Sequence, residues 1–305
     1  MRVVPGSAIS ASNPTTFPTL QYAMDHAPQT GRGGRLILQI ADGVYAERVM
    51  VTANRPRTTF IGNVADPSKV VITAAQNAKS AGGTFFSSTV DIEADGFQAD
   101  GVTFANAAGA TGQAVAISVR SDEAIFKHCR FLGDQDTLFA DYGRQYYTDS
   151  YIAGGVDFIF GNATAVFDHV EIHEQRPGYL TAQSRTSSDQ ATGYIITHSS
   201  VTSDDLNGKS FYLGRPWRDF SRVVVTHTVL PRQLNPQGWS AWHSGIIPTH
   251  AFYAEYNNSG PGAQRTARAP WSRQLSAKEA QAFEPANFLR GSDSWDPLAR
   301  AAELP

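Results

Sequence analysis

The chain has 305 residues, 41% hydrophobic and 17% charged, enough to bury a sizeable core in one large domain or two small ones. A net charge of −3 without any Lys/Arg run excludes the usual electrostatic footprint of a nucleic-acid binder, and no run of about 18 apolar residues offers a membrane span. The single cysteine, Cys129, allows neither an internal disulfide nor a cysteine-based metal site.

Along the chain, Met1–Gly6 carries no apolar leader core. Phe17–Met24 has apolar residues at helical spacing behind two candidate caps, Thr15 and Thr16. Short runs rich in β-branched residues predict strands over Arg35–Ile40, Val70–Thr73, Ala114–Val119 and Arg222–Thr226. Asn257–Ala263 reads as a loop. Ser276-Ala277-Lys278-Glu279 is a capping box that opens a helix through about Phe283. No linker interrupts the chain, so one domain over residues 1–305 is expected, capped over about residues 1–34 and 270–305. Cys129, between His128 and Arg130-Phe131, reads as a small buried residue rather than a nucleophile.

A four-residue pattern recurs: polar, small or polar, any, apolar. It appears as Gly101–Phe104, His128–Phe131, Asp149–Ile152, His169–Ile172, His198–Val201 and His227–Leu230, in steps of about 20 to 29 residues. Irregular steps with a common strand signature suit solenoid coils that carry loops of different length. No Asn-Gly hairpin joins two alternating runs, which favours parallel pairing. The expected fold is an all-β, single-stranded solenoid, a parallel β-helix, with short terminal helices covering its ends.

Two segments carry the chemistry. Gln135-Asp136-Thr137-Leu138-Phe139 and Val156-Asp157-Phe158-Ile159-Phe160-Gly161-Asn162 each set one carboxylate among apolar neighbours, about one coil apart. On adjacent rungs Asp136 and Asp157 would stand about 4.8 Å apart. Two carboxyls so close do not both ionise easily; one stays protonated as an acid and the other serves as a nucleophile. The bland alternative is that each Asp caps a turn at a strand end.

Gly43–Glu47, Gln113–Ala116, Gln135–Phe139, Asp157–Gly161 and Leu213-Gly214-Arg215-Pro216-Trp217 resemble the five signature segments of pectin methylesterases, in that family's order and spacing. Thr181–Arg185, Asn235–Trp239 and Tyr253–Tyr256 extend the resemblance, which runs from about residue 13 to residue 272. Any one pentapeptide is weak evidence; five together are strong. The resemblance implies a right-handed β-helix that removes methyl esters from the galacturonate residues of pectin (homogalacturonan) and releases methanol. It implies Asp157 as nucleophile, Asp136 as general acid and then base, Gln113 and Gln135 as oxyanion donors, and Arg215 as the partner that holds Asp157 ionised. Tyr45 and Glu47 read as packing and turn residues. Ser150 stands where plant members commonly carry cysteine, and Phe139 where they carry tyrosine. The lack of an inhibitor-like N-terminal extension and the capping box near the C-terminus resemble bacterial or fungal forms. The family also implies secretion, with any leader removed from this chain, and proteinaceous pectinesterase inhibitors as partners.

The residue types fit ester hydrolysis, which needs a nucleophile, a proton donor for the leaving alkoxide and donors aimed at the oxyanion. No Gly-x-Ser-x-Gly elbow offers a serine route. Sugar rings stack on exposed aromatics, so Trp217 is the first candidate for substrate contact, followed by Phe139, Phe85 and Trp239, with Trp242 beside it at a groove end and Val156 touching substrate by position. No metal or organic cofactor is implied, and a monomer is the default. Another pectin-acting enzyme remains open, because a glycosidase also uses two carboxylates about 5–10 Å apart. A non-enzymatic carbohydrate-binding β-helix and a thioesterase remain as well, the latter because it could use the same nucleophile. Low net charge gives no long-range attraction to a polyanion, so highly methylated stretches are the expected substrate.

Overall fold

The computed structural model describes residues 1–7, 16–31, 33–243, 246 and 248–304. The chain winds into a parallel β-helix. One 12-stranded sheet forms the first face, and a second 12-stranded assembly forms two further faces that merge along the long strands Tyr151–Gly161 and Glu171–Gln183. Each coil runs up the first face, turns a tight corner, and continues along the other two.

The recurring tetrapeptides are the corners. Their first residues, Gly101, His128, Asp149, His169, His198 and His227, all have left-handed backbones, with φ from 47 to 68°. His, Asp, Asn and Gly tolerate this region better than other residues, which explains the polar start of each repeat. Gly101 has no alternative, since a Cβ there would lie 2.6 Å from the Asn63 and Val64 backbone. The apolar fourth residues fall in register: Phe104 pairs Phe131, Phe131 pairs Ile152, Ile152 pairs Ile172, and Ile172 pairs Val201. The repeat read from the sequence is therefore the register of the coils.

Inside the coils, side chains of one type stack on themselves. Phe126 lies on Tyr147 with centroids 4.9 Å apart and Tyr147 on Phe167 at 4.7 Å, with ring planes 5° and 16° from parallel. Such offset stacks add to the apolar burial that drives the fold. Leu36–Ile40 alternates buried and exposed, as a half-covered strand should. Thr164–Asp168 and Gly193–Thr197 are buried on both sides. Leu289, Ala301 and Leu304 cover Tyr146, Val166 and Ile195 there, so the C-terminal helices lie across the flank of the first sheet and not simply over an open end.

At the N-terminus, the helix starts at Leu20 with Thr19 as cap; Thr16 is instead in a short strand with Phe17, and Thr15 lies outside the described residues. Glu47 accepts the first helical N–H groups, from Leu20 and Gln21, at 2.9 and 3.0 Å, where a carboxylate complements the helix dipole. The Tyr45 hydroxyl donates to Ala41 O at 2.8 Å. Both residues are structural, as expected. The capping box at Ser276 forms, but only Ala277–Ala280 is α-helical before a 3₁₀ turn over Gln281–Phe283. The strand expected from Ala114 begins at Ile117. Cys129 is buried and its thiol is pushed up to about 12 by that burial, which makes it inert.

Candidate active site

The candidate site lies on the seam between the second and third faces. Gln113, Gln135 and Val156 form isolated bridges on successive rungs, so each following residue is also in register. Asp136 therefore stands beside Asp157. Both carry left-handed backbones, φ 65° and 50°, and the pairing of Tyr151–Gly161 with Glu171–Gln183 shifts register across Val156. Asp136 N donates to Val156 O at 3.1 Å, which fixes the two rungs against each other. The turn at each Asp is real, but these turns aim the carboxylates outward into a cavity rather than cap a strand.

That cavity, of about 410 Å³, is lined by Gln113, Gln135, Asp136, Asp157 and Arg215 together with Phe85, Trp217 and Trp242. All five residues singled out for catalysis thus line one cavity. Arg215 comes from two coils away. A Cβ on Gly214 would collide with the Thr181 side chain, so glycine lets the next coil close up and Arg215 N reach Thr181 O at 2.9 Å. Its guanidinium grips Asp157 with two parallel bonds, Nε to Oδ1 at 2.9 Å and Nη2 to Oδ2 at 2.6 Å. It is itself sandwiched, 4.0 Å from the Tyr179 ring centroid and 4.2 Å from that of Trp242.

These contacts split the two acids. Burial pushes Asp136 up to about 8; the neighbouring Asp157 charge adds to this, and Arg215 offsets it only through its more distant charge. Burial also raises Asp157, and the balance stays upward, but Arg215 counters much more of it than at Asp136, through direct hydrogen bonds as well as charge. For Arg215, burial opposes the charge, yet the Asp157 carboxylate outweighs burial and leaves its pKa above the ordinary value. One proton shared by this pair at neutral pH therefore resides on Asp136.

The aromatic candidates divide. Phe85, about half exposed, and Trp217 line the cavity. Phe139 does not: it is buried beside them, in register with Phe160, 4.9 Å from Phe85 and 4.7 Å from Phe160 between centroids. Trp239 is 1% exposed and packs edge-on against Tyr253 in the core, so it meets no sugar either. Val156 is half-buried on the ladder and stays outside the cavity lining. Thr84, Phe160 and Ala182 line the cavity without having been singled out. Tyr179 was also missed. Its only signal is its pairing with Val156 across the register shift, which periodicity does not reveal.

The chain matches the family model described as Pectinesterase over residues 7–292. It belongs to the pectinesterase family. Pectinesterase 1 of Citrus sinensis is 40% identical to it over 96% of this chain and 52% of its own length. The chain spans about half the length of the first curated plant relatives it matches. Among solved structures, pectin methylesterase from carrot superposes with a TM-score of 0.87 at 34% identity, covering 94% of this chain and 92% of that one. A pectin methylesterase in complex with a hexasaccharide superposes with a TM-score of 0.78 at 28% identity, covering 97% of both chains. The β-helix expected from the repeats is thus the fold of this pectinesterase family member and of solved relatives along nearly its whole length.

Proposed function

We propose that this chain hydrolyses the methyl esters of galacturonate in pectin and releases methanol. The observation that carries the proposal is the split pair: Asp157 held ionised by Arg215, beside an Asp136 that keeps its proton to about pH 8. Asp157 attacks the ester carbonyl, and the negative charge moves to the carbonyl oxygen, where the Gln113 and Gln135 side-chain N–H groups receive it. As the C–O bond to methoxide breaks, Asp136 gives up its proton and methanol leaves. The acyl group is then an anhydride with Asp157. Asp136, now a carboxylate, takes a proton from water; hydroxide adds to the galacturonyl carbonyl, and Asp157 is released with both acids restored. Arg215 holds the nucleophile's geometry throughout.

Trp217, Trp242 and Phe85 supply apolar faces for sugar rings, which favours a polysaccharide over a thioester. The hexasaccharide complex of a structural relative is consistent with an oligosaccharide groove. The same reading includes secretion, a monomer, a bacterial or fungal type of enzyme and susceptibility to proteinaceous inhibitors; plant relatives whose names include pectinesterase inhibitor support the last.

The test is methanol release from highly methylated pectin, with viscosity followed in parallel. Steady methanol at constant viscosity, lost in a folded Asp157→Ala variant, is the expected result. Falling viscosity would point to chain cleavage instead, and equal release by both proteins would remove Asp157 as nucleophile.

A further inference from the structure

The histidines that open the corner repeats have no part in the esterase chemistry, yet two of them converge on one carboxylate. Asp168 ends the strand Thr164–Asp168; His169 is the next residue, and His198 sits at the same corner one rung on. The Nδ1 atoms of His169 and His198 lie 2.9 and 3.2 Å from the same oxygen, Asp168 Oδ1. The two imidazoles stack with centroids 5.2 Å apart. The other carboxylate oxygen is occupied: Tyr146 donates its hydroxyl to Asp168 Oδ2 at 2.7 Å. Asp168 itself is buried, whereas both rings are open to solvent.

We infer that Asp168, His169 and His198 form a binding site for one divalent ion of the zinc, nickel and copper class. Three features carry this. The three donor atoms lie within 4.8 Å of one another. Tetrahedral ligands at bonds of about 2.0–2.1 Å stand about 3.3 Å apart, close to the two oxygen–nitrogen separations seen here. Two imidazoles with one carboxylate suit a borderline ion rather than calcium or magnesium, which prefer all-oxygen sites. Finally, the Tyr146 hydrogen bond is the outer partner that orients a ligating carboxylate and leaves one oxygen free.

Binding takes place through neutral imidazoles. Each ring holds its proton on Nε2 and presents the Nδ1 lone pair, so the hydrogen bonds to Asp168, and the one between Thr197 Oγ1 and His198 Nδ1 at 3.2 Å, are exchanged for bonds to the ion. Solvent completes the coordination from the open side. The site lies at the corner between the first and second faces, and the shallow groove that contains both histidines is lined by none of Gln113, Gln135, Asp136, Asp157 or Arg215. Its occupancy is thus independent of the esterase reading.

The experiment is calorimetric titration of zinc chloride into the full chain after chelator treatment, with melting temperature followed in parallel. One site per chain and a zinc-dependent rise in Tm are expected. His169→Gln and His198→Gln should each weaken binding at least about tenfold, and the double variant should lose both signals. Tyr146→Phe, which keeps all three ligands, should weaken binding about 10–100-fold. Methanol release from pectin, or circular dichroism if that activity is absent, serves as the fold control. Zinc binding undiminished in the double variant, or no zinc binding by the folded wild type, overturns the assignment.

Discussion

Two regions of this molecule use the same backbone device for opposite ends. At the corners between the first and second faces, His128, His169 and His198 adopt left-handed conformations, and their side chains open to solvent and pair with Asp100 or Asp168. At the seam between the second and third faces, Asp136 and Asp157 adopt the same conformation, but only 8% and 5% of each is exposed. In both places parallel register stacks like on like. The corner stacks imidazole rings that reach solvent, whereas the seam stacks two carboxylates that water hardly reaches. Burial also raises Asp100 at a corner, where the His128 hydrogen bond partly offsets it; the seam differs in setting a second carboxylate, Asp157, beside the buried Asp136.

The strongest way to break this comparison is to remove the charge from the seam. Asp136→Asn should lower methanol release about 10²–10⁴-fold, the usual contribution of a general acid–base group. In the wild type, deprotonation of Asp136 near pH 8 should set the alkaline limit of the first half-reaction. An initial burst of methanol that persists unchanged to pH 10 would contradict that role. Gln135→Ala comes next, with a fall of about 10²–10³-fold in kcat and a melting curve close to wild type. A change confined to KM would make Gln135 a substrate-binding residue instead.

A third carboxylate sharpens the point without touching catalysis. Glu174 is fully buried, and that burial pushes it up to about 10, with the Arg176 backbone N–H and charge only partly offsetting it. Its folded pKa lies above the unfolded value of about 4.3. Its contribution is therefore fully present below about pH 4 and is lost as pH rises toward 10, at up to about 1.4 kcal/mol per pH unit between. Glu174→Gln should remove that slope, so denaturant melts from pH 5 to 9 should show the variant gaining on the wild type. Parallel curves would mean that the carboxyl is hydrated in solution. The smallest effect is expected at the corner. His227→Asn keeps a residue suited to φ 48° and loses a ring stacked on His198 and an Nδ1 without a hydrogen-bond partner among the described residues. It should change stability by less than about 0.5 kcal/mol and leave methanol release unaltered.

The legible and illegible parts of the site differ in kind. Motifs single out Asp136, Asp157, Gln113, Gln135 and Arg215, and the fold brings the five to one cavity. The aromatics were harder. Phe139 and Trp239 have the composition of sugar platforms, but Phe139, in register with the cavity-lining Phe160, is covered with Phe85 4.9 Å away, and Trp239 packs on Tyr253 in the core. Whether a ring faces in or out depends on strand parity and on each register shift, and one irregularity reverses it. Tyr179 reaches Arg215 for the same reason: the shift after Gly154 places it opposite Val156.

By itself the sequence determined the solenoid, its coil boundaries and the pairing of the two carboxylates, because a parallel stack converts a linear repeat directly into spatial register. Only the tertiary structure decided what drives the two acids apart, which rings line the cavity and where the C-terminal helices lie. These depend on burial and on contacts between distant coils: a guanidinium from residue 215 against a carboxylate at 157, and Leu289 and Ala301 against the flank of the first sheet. Desolvation and packing are properties of surroundings, and no local stretch of sequence contains its own surroundings.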